Sequence, residues 1–306
     1  MSIMKIIQYN VQRSKSGVMT PLIYSKSQYD VIAIQEPWLN PHMQATYCPT
    51  NCPYTAIFPS TERARTCFLI NKAIPVSSWS HDQSLLTPDY CQITFQLPTG
   101  RLTIHNIYSQ TPTSINTSKW ESPIPTMLQN IQNDDSEHLV IGDFNLHHEM
   151  WGGDGVERAH EGASHLVEAI QMGNLQLLSP RGIPTREMHG NRPSTLDLTL
   201  ATLSMSRQII SCKVDRDTVG SDHLPVVTTL KLVHEIRYKQ TKRWNFKLLS
   251  SKLVERGATV IEAELHNLQL NTITEVDYYC HQLVQKTLSL VAETVPVAKP
   301  TTYAKP

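Results

Sequence analysis

Residues 139–145 read Leu139-Val140-Ile141-Gly142-Asp143-Phe144-Asn145. An apolar run with β-branched members, closed by Gly, Asp and Asn, carries the signature of a strand. Gly142 permits a tight bend there, and Asp143 and Asn145, two residues apart, point to one side if extended geometry continues. A carboxylate that can take a proton from water, beside an amide that can hold an attacking oxygen or a phosphate, suits hydrolysis. An Asx turn accounts for the same residues, and the segment alone leaves both readings open.

The pattern recurs on either side. Apolar runs at Ile3 to Tyr9, Val31 to Gln35, Tyr54 to Phe58, Cys67 to Asn71, Cys91 to Leu97, Leu102 to Tyr108, Leu196 to Ala201 and Leu224 to Leu230 are each bounded by turn residues. Between them lie helix candidates at Gly17 to Lys26, Lys119 to Asn130 and Ala159 to Met172, the last with Gly173 as its stop. Strands and helices thus mix in one large α/β unit, residues 1–233. From 234 to 306 the character changes. Basic Arg237, Lys239, Lys242 and Arg243 lead to Trp244 and Phe246, and two helix-like segments follow. In the second, Val276, Cys280, Leu283, Thr287 and Leu290 form one apolar stripe. This quarter reads as a basic linker and helical arm with a disordered tail.

Bulk properties bound the function without choosing it. The 306 residues hold 27 Lys plus Arg against 27 Asp plus Glu, so the net charge is zero and composition is silent on nucleic acid. No apolar run approaches the roughly 18 residues that cross a bilayer, so no membrane partner is expected. The six cysteines lack a paired framework. Cys48 and Cys52 have no second pair at finger spacing, and all six read as ordinary thiols.

Four more strand ends carry chemistry. Ile6-Ile7-Gln8-Tyr9-Asn10 ends in a carboxamide, which also suits a plain turn. Val31-Ile32-Ala33-Ile34-Gln35 delivers Glu36 to the mouth of a core, where a carboxylate is costly without a cation and magnesium is the natural remedy. Ser194-Thr195-Leu196-Asp197-Leu198 sets an acid in an alternating strand, where it needs a partner. Gly220-Ser221-Asp222-His223 supplies one, since Asp197 can orient His223 through its Nδ1 proton.

Each signal alone is weak. The ordered set of Asn10, Glu36, Tyr108, Asp143 with Asn145, Asp197, and Asp222 with His223 resembles the endonuclease/exonuclease/phosphatase superfamily over residues 3 to 232. A narrower resemblance is to the endonuclease domain of non-LTR, LINE-like retrotransposons. It rests on Asn145-Leu146-His147-His148-Glu-Met-Trp151-Gly152 and on Thr185-Arg186 ahead of Thr195-Leu196-Asp197-Leu198-Thr199, with Leu146 in place of the usual small residue. His147, His148 and Trp151 read as braces of their loop rather than reactive groups.

The resemblance implies a four-layer sandwich, two mixed β-sheets face to face with helices on both outer faces. It implies a Mg²⁺-dependent endonuclease, with Mn²⁺ as a substitute, that nicks one strand of DNA; the alternatives are another phosphodiesterase or phosphatase of the same superfamily and a catalytically inert nucleic-acid-binding remnant. On that reading Glu36, assisted by Asn10, holds the metal. Asp143 positions or deprotonates water with Asn145 fixing its geometry. His223, held by Asp197, hydrogen-bonds the phosphoryl oxygens, and so does Tyr108. Asp222 is either a second metal contact or a route for protonating the leaving group. The loop Arg186 to Pro193 is the hairpin the family inserts into the minor groove, and Arg13, Thr185, Arg186 and Ser194 are candidate DNA contacts. The 234–306 segment is similar to the one that joins endonuclease to reverse transcriptase in such elements, so a reverse transcriptase domain in a longer polyprotein is the expected partner. The nucleus, or otherwise the cytoplasm, is the expected location, and no clear targeting signal is legible.

Overall fold

The apolar runs become strands β1 (Ser2–Asn10), β2 (Val31–Gln35), β3 (Tyr54–Ile57), β4 (Thr66–Asn71), β6 (Tyr90–Leu97), β7 (Gly100–Tyr108), β8 (Glu137–Asp143), β10 (Asp197–Ala201) and β12 (Val226–Leu232). Three short strands join them without a matching apolar run: β5 (Trp79–His81), β9 (Gln176–Leu177) and β11 (Ile209–Val214). In this computed structural model the described residues are 2–25, 29–39, 52–59, 63–81, 87–97, 100–110, 122–187, 190, 192–216, 220–232, 245, 250–266 and 273–296. Arg237, Lys239, Lys242, Arg243, Trp244, Phe246, Cys48 and the tail beyond Pro296 lie outside them. The chain divides into two units, Met1–Arg237 and Tyr238–Pro306.

In the first unit two six-stranded sheets run in the orders β11-β12-β1-β2-β4-β3 and β5-β6-β7-β8-β10-β9. The pairs β1/β2 and β7/β8 are parallel and the other pairs antiparallel, so both sheets are mixed. Met4, Ile6, Val31, Ala33, Phe68, Ile93, Leu102, Ile104, Leu139 and Ile141 fill the space between the sheets. On the outer face of the first sheet, Ile7, Tyr9, Ile32 and Ile34 pack on a π-helical turn (Lys15–Met19) and α1 (Thr20–Ser25) through Val18, Met19, Leu22 and Ile23. Val140, Leu198 and Leu200 of the second sheet pack on α2 (Pro123–Gln132) and α4 (Ser164–Gln171) through Ile124, Met127 and Leu166. The result is the four-layer sandwich. Central strands buried on both faces are why they read as unbroken apolar runs.

Two further helices are short turns, α3 (Glu149–Gly152) and α5 (Leu203–Ser206). Gly142 makes no bend. It lies within β8 at φ 147, opposite Ile107 in the parallel β7/β8 register, and a Cβ there would overlap the Ile107 backbone. The residue permits close approach of two strands, not a turn.

The second unit holds α6 (Ser251–Leu265) and α7 (Ile273–Thr294). Leu290 fills the notch left by Gly257, and Lys286 pairs with Glu264. This docking corrects the expected stripe on α7. Val276, Cys280, Leu283 and Thr287 are exposed, while Tyr279, Gln282 and Lys286 join Leu290 on the half-buried side. The notch sets the rotation of α7, and hydrophobic spacing alone does not report it.

Candidate active site

Along the inner faces of the sandwich, side chains two residues apart change from apolar to polar toward one end. In β1, Met4 and Ile6 give way to Gln8 and Asn10. In β2, Val31 and Ala33 give way to Gln35. In β7, Leu102 and Ile104 give way to Asn106 and Tyr108, and in β8 Leu139 and Ile141 give way to Asp143. Because β1/β2 and β7/β8 are parallel, all four strands end on the same side, where parallel strands characteristically present a site. Beneath that end the buried amides bridge the sheets: Gln8 donates to Leu198 O, Gln35 to Asn106 Oδ1, and Asn106 to Ile34 O and Cys67 O.

Asp143 sits at the centre. Asn10 Nδ2 donates to its Oδ2 at 2.9 Å, and the Asn145 side chain donates to the same oxygen at 3.1 Å. The Asn145 backbone N–H reaches Oδ1 at 3.0 Å, which closes an Asx turn, with Asn145 itself at φ 49. The turn and the hydrolytic pairing are therefore one structure. Asp197 lies directly across from Asp143 in the β8/β10 register. Its Oδ2 is 2.8 Å from His223 Nδ1, while His223 Nε2 lies 3.8 Å from Asp143 Oδ2 and 3.7 Å from Asp222 Oδ1.

Electrostatics follow from this crowding. Burial of Asp143 next to the charge of Asp197 pushes its carboxyl up to about 7, against the opposing pull of His223 and of the Asn10 and Asn145 donors. Burial alone would lower His223, but the charge and hydrogen bond of Asp197, then Asp143 and Asp222, raise it to about 9. At neutral pH His223 is thus an imidazolium with Nε2–H aimed between two carboxylates. Asp143 is poised near neutrality, where a general base works best.

Glu36 occupies the more open side at φ 47, just past the end of β2. Its Oε1 accepts from the Tyr108 hydroxyl at 2.6 Å, and its Oε2 lies 3.4 Å from Arg13 Nε. Burial, then the bond and charge of Glu36, raise the Tyr108 phenol far above its ordinary value, so it remains a donor. Two sequence expectations change here. Tyr108 spends its proton on Glu36 rather than presenting it to a phosphate. Asn10 braces Asp143 through its nitrogen and accepts from Gln12 N through its oxygen, instead of facing a cation beside Glu36. The candidate contacts also sort themselves. Thr185 is buried, with its hydroxyl accepting from the backbone N–H groups of Leu196 and Asp197, which braces the start of β10. Arg186 is turned onto Asp222, Ser194 pairs with Arg186 through its backbone, and Arg13 is exposed.

Sequence reading missed Gln12, which engages Asp222 from both ends of its amide, and Ser221, whose hydroxyl donates to Asn10 O and accepts from His223 N. Their signal was position, two residues past Asn10 and two before His223. The His-His-x-x-Trp-Gly run does brace its loop: His148 Nδ1 caps α3, His147 packs edge-on against His160, and the buried Trp151 donates to Leu146 O. Beside the cluster lies a cavity of about 750 Å³ lined by His147, Gly153, Arg158, Arg181, Arg192 and Thr195.

Four carboxylates, Glu36, Asp143, Asp197 and Asp222, meet in this network. Among the described residues, Asp143, Asp197 and His223 bring ligand atoms within 4.8 Å of one another. Within that trio His223 Nδ1 bonds Asp197, while Glu36, half-buried, adds carboxylate oxygens of the kind a hard divalent cation takes. Carboxylate oxygens gathered this closely are the donors a hard cation takes, so the donor set fits a metal.

The family model described as endonuclease-reverse transcriptase matches residues 102–227. No curated protein sequence matches the chain. Among solved structures it is similar to the endonuclease domain of TRAS1, a telomere-specific non-LTR retrotransposon, at 17% identity and TM-score 0.61 over 76% of this chain and 100% of that one. It is also similar to the AP endonuclease LMAP from Leishmania major, at 13% identity and TM-score 0.58 over 75% and 88%. A 3′-5′ exonuclease from Neisseria meningitidis matches at 13% and 0.55 over 74% and 100%. The two mixed sheets with helices outside are thus the fold of these three nuclease structures.

Proposed function

We propose that the protein is a Mg²⁺-dependent DNA endonuclease that nicks one strand of its target, of the type carried by non-LTR retrotransposons. The observation that carries this reading is the convergence of Asn10 on Asp143, of the His223–Asp197 pair with Nε2 3.8 Å from Asp143, and of Tyr108 on Glu36. Glu36 would hold the cation. Mg²⁺, or Mn²⁺ in its place, supplies charge neutralisation for the phosphate and the departing 3′ oxygen.

The chain's own groups do the rest. Asp143, raised toward neutrality, takes the proton of the attacking water, and Asn145 and Asn10 fix its carboxylate by donating to it. His223 Nε2–H donates to a phosphoryl oxygen, where negative charge builds in the transition state. Asp197 accepts from Nδ1 and fixes the ring. The description of the matching family supports a reverse transcriptase domain as partner in a longer polyprotein.

Nicking of supercoiled plasmid with Mg²⁺, with Mn²⁺ and with EDTA tests the proposal. Wild type converts plasmid to open circles, EDTA stops it, and Asp143→Asn reduces the rate at least ~10²-fold. An Asp143→Asn protein as fast as wild type, or metal-independent nicking, overturns it. Release of phosphate from inositol phosphates without any nicking would move the chain to another branch of its superfamily.

A further inference from the structure

Residues Thr185 to Glu187 touch two of the site's segments at once, 194–197 and 222–224. Thr185 Oγ1 accepts from Asp197 N at 2.9 Å, and Thr185 O accepts from Leu224 N at 2.6 Å. Glu187 N donates to Asp222 O at 2.7 Å. Between them Arg186 forms β-bridges to Ser194, at the far end of the 186–194 loop, and to His223. Its guanidinium is turned inward, with Nε 2.9 Å from Asp222 Oδ2, and Gln12 closes on Asp222 Oδ1. That same Oδ1 lies 3.7 Å from His223 Nε2. The Asp222 side chain is 14% exposed and that of Arg186 33%, so the pair is shielded from the solvent that weakens surface ion pairs.

We infer that Arg186 is a positioning residue that acts through Asp222, clamping this carboxylate beside His223 and tying the 186–194 loop to the chemistry. This differs from the phosphate contact expected from sequence, because a guanidinium committed to Asp222 through Nε is not a free surface charge. The inference rests on the nuclease reading for its kinetic arm and on geometry alone for its spectroscopic arm. Arg suits the position because its planar fork fixes a carboxylate sideways, which the point charge of Lys does only in part.

A double-mutant cycle on a nicked-duplex assay tests it. Arg186→Ala lowers kcat about 10-fold or more with KM within about twofold, added ethylguanidinium restores part of kcat, and Arg186→Lys retains part. In an Asp222→Ala background, Arg186→Ala has no further effect. The inference is overturned if the two losses add, or if Arg186→Ala raises KM and flattens the salt dependence by about one charge with kcat intact, as a phosphate contact would. Should Arg186→Ala fail to fold by near-UV circular dichroism, Arg186→Lys carries the same cycle. In the DNA-free protein at fixed pH, the ring ¹⁵N resonances of His223 shift in Arg186→Ala and stay in place in Arg192→Ala. Unmoved resonances in both overturn the inference even if the wild type nicks nothing, whereas absence of nicking with shifted resonances overturns only the nuclease reading.

Discussion

Asp143 stands directly opposite Asp197 in the β8/β10 ladder, and His223 binds the second while its other nitrogen faces the first. Like charges paired across strands repel, and here both are buried. His223→Ala should therefore reduce nicking at least ~10²-fold and cost about 3–5 kcal/mol of stability, the size for stranding a buried charge. The folded value of His223, about 9, exceeds its ordinary 6.5. Its contribution is thus fully present below pH 6.5 and lost as pH rises through about 9. Urea unfolding of the two proteins at pH 6.5 and 9.5 should show the gap between them narrowing, and a gap independent of pH would contradict this account.

Tyr108→Phe removes the donor on Glu36 while leaving the ring in place. Loss of a hydrogen bond to a charged group, about 1.5 kcal/mol at the low end, should raise the Mg²⁺ concentration for half-maximal nicking about tenfold. A titration curve unchanged from wild type would separate Tyr108 from metal binding.

Away from the site, Tyr90, His105 and His138 form a buried chain. His138 Nε2 must donate to Asp134 O, so His138 Nδ1 accepts from His105 Nε2, and His105 Nδ1 lies 2.7 Å from the Tyr90 hydroxyl, which also bonds Gln92 Oε1. Burial, and for His105 the neighbouring His138, hold both imidazoles below their ordinary value. Lowered folded values mean that their share of stability is present above pH 6.5 and lost as pH falls below it. The melting temperature should drop between pH 7 and pH 5, and His105→Leu should flatten that drop. Parallel pH profiles would reject the assignment.

Gly142→Ala places a methyl group against the Ile107 backbone at φ 147. Overpacking and backbone strain, each about 1–3 kcal/mol, should together destabilise the first unit by about 3 kcal/mol or more, read by denaturant unfolding. A loss under about 1 kcal/mol would show that β7 and β8 can move apart.

The strands buried on both faces were legible because no polar residue interrupts Val31–Gln35 before Gln35, nor Leu139–Ile141. The edge strands β5, β9 and β11 were not, since their mixed exposure leaves neither an apolar run nor clean alternation. Asn10, Glu36, Asp143, Asp197 and His223 stood out as polar residues ending or interrupting apolar strands, and the structure gathers them at one end of the sandwich. Their wiring was hidden. That Tyr108 serves Glu36, that Asn10 serves Asp143 and that Thr185 is buried all depend on cross-sheet distances. Gln12, Arg13, Glu36 and Asn145 reach their partners from left-handed backbone, at φ 47 to 57, which side-chain periodicity cannot report.

Asp143 and Asp197 are strand residues, and their spacing is set by the same ladder that aligns Leu139 with Ala201 and Ile141 with Thr199. The described rim residues 185–187 and 192–194 lie on connecting segments outside that ladder. Evolution or an engineer can therefore rewrite the rim, lengthening or recomposing the part that chooses an address on the substrate, while the cutting edge stays where the ladder put it.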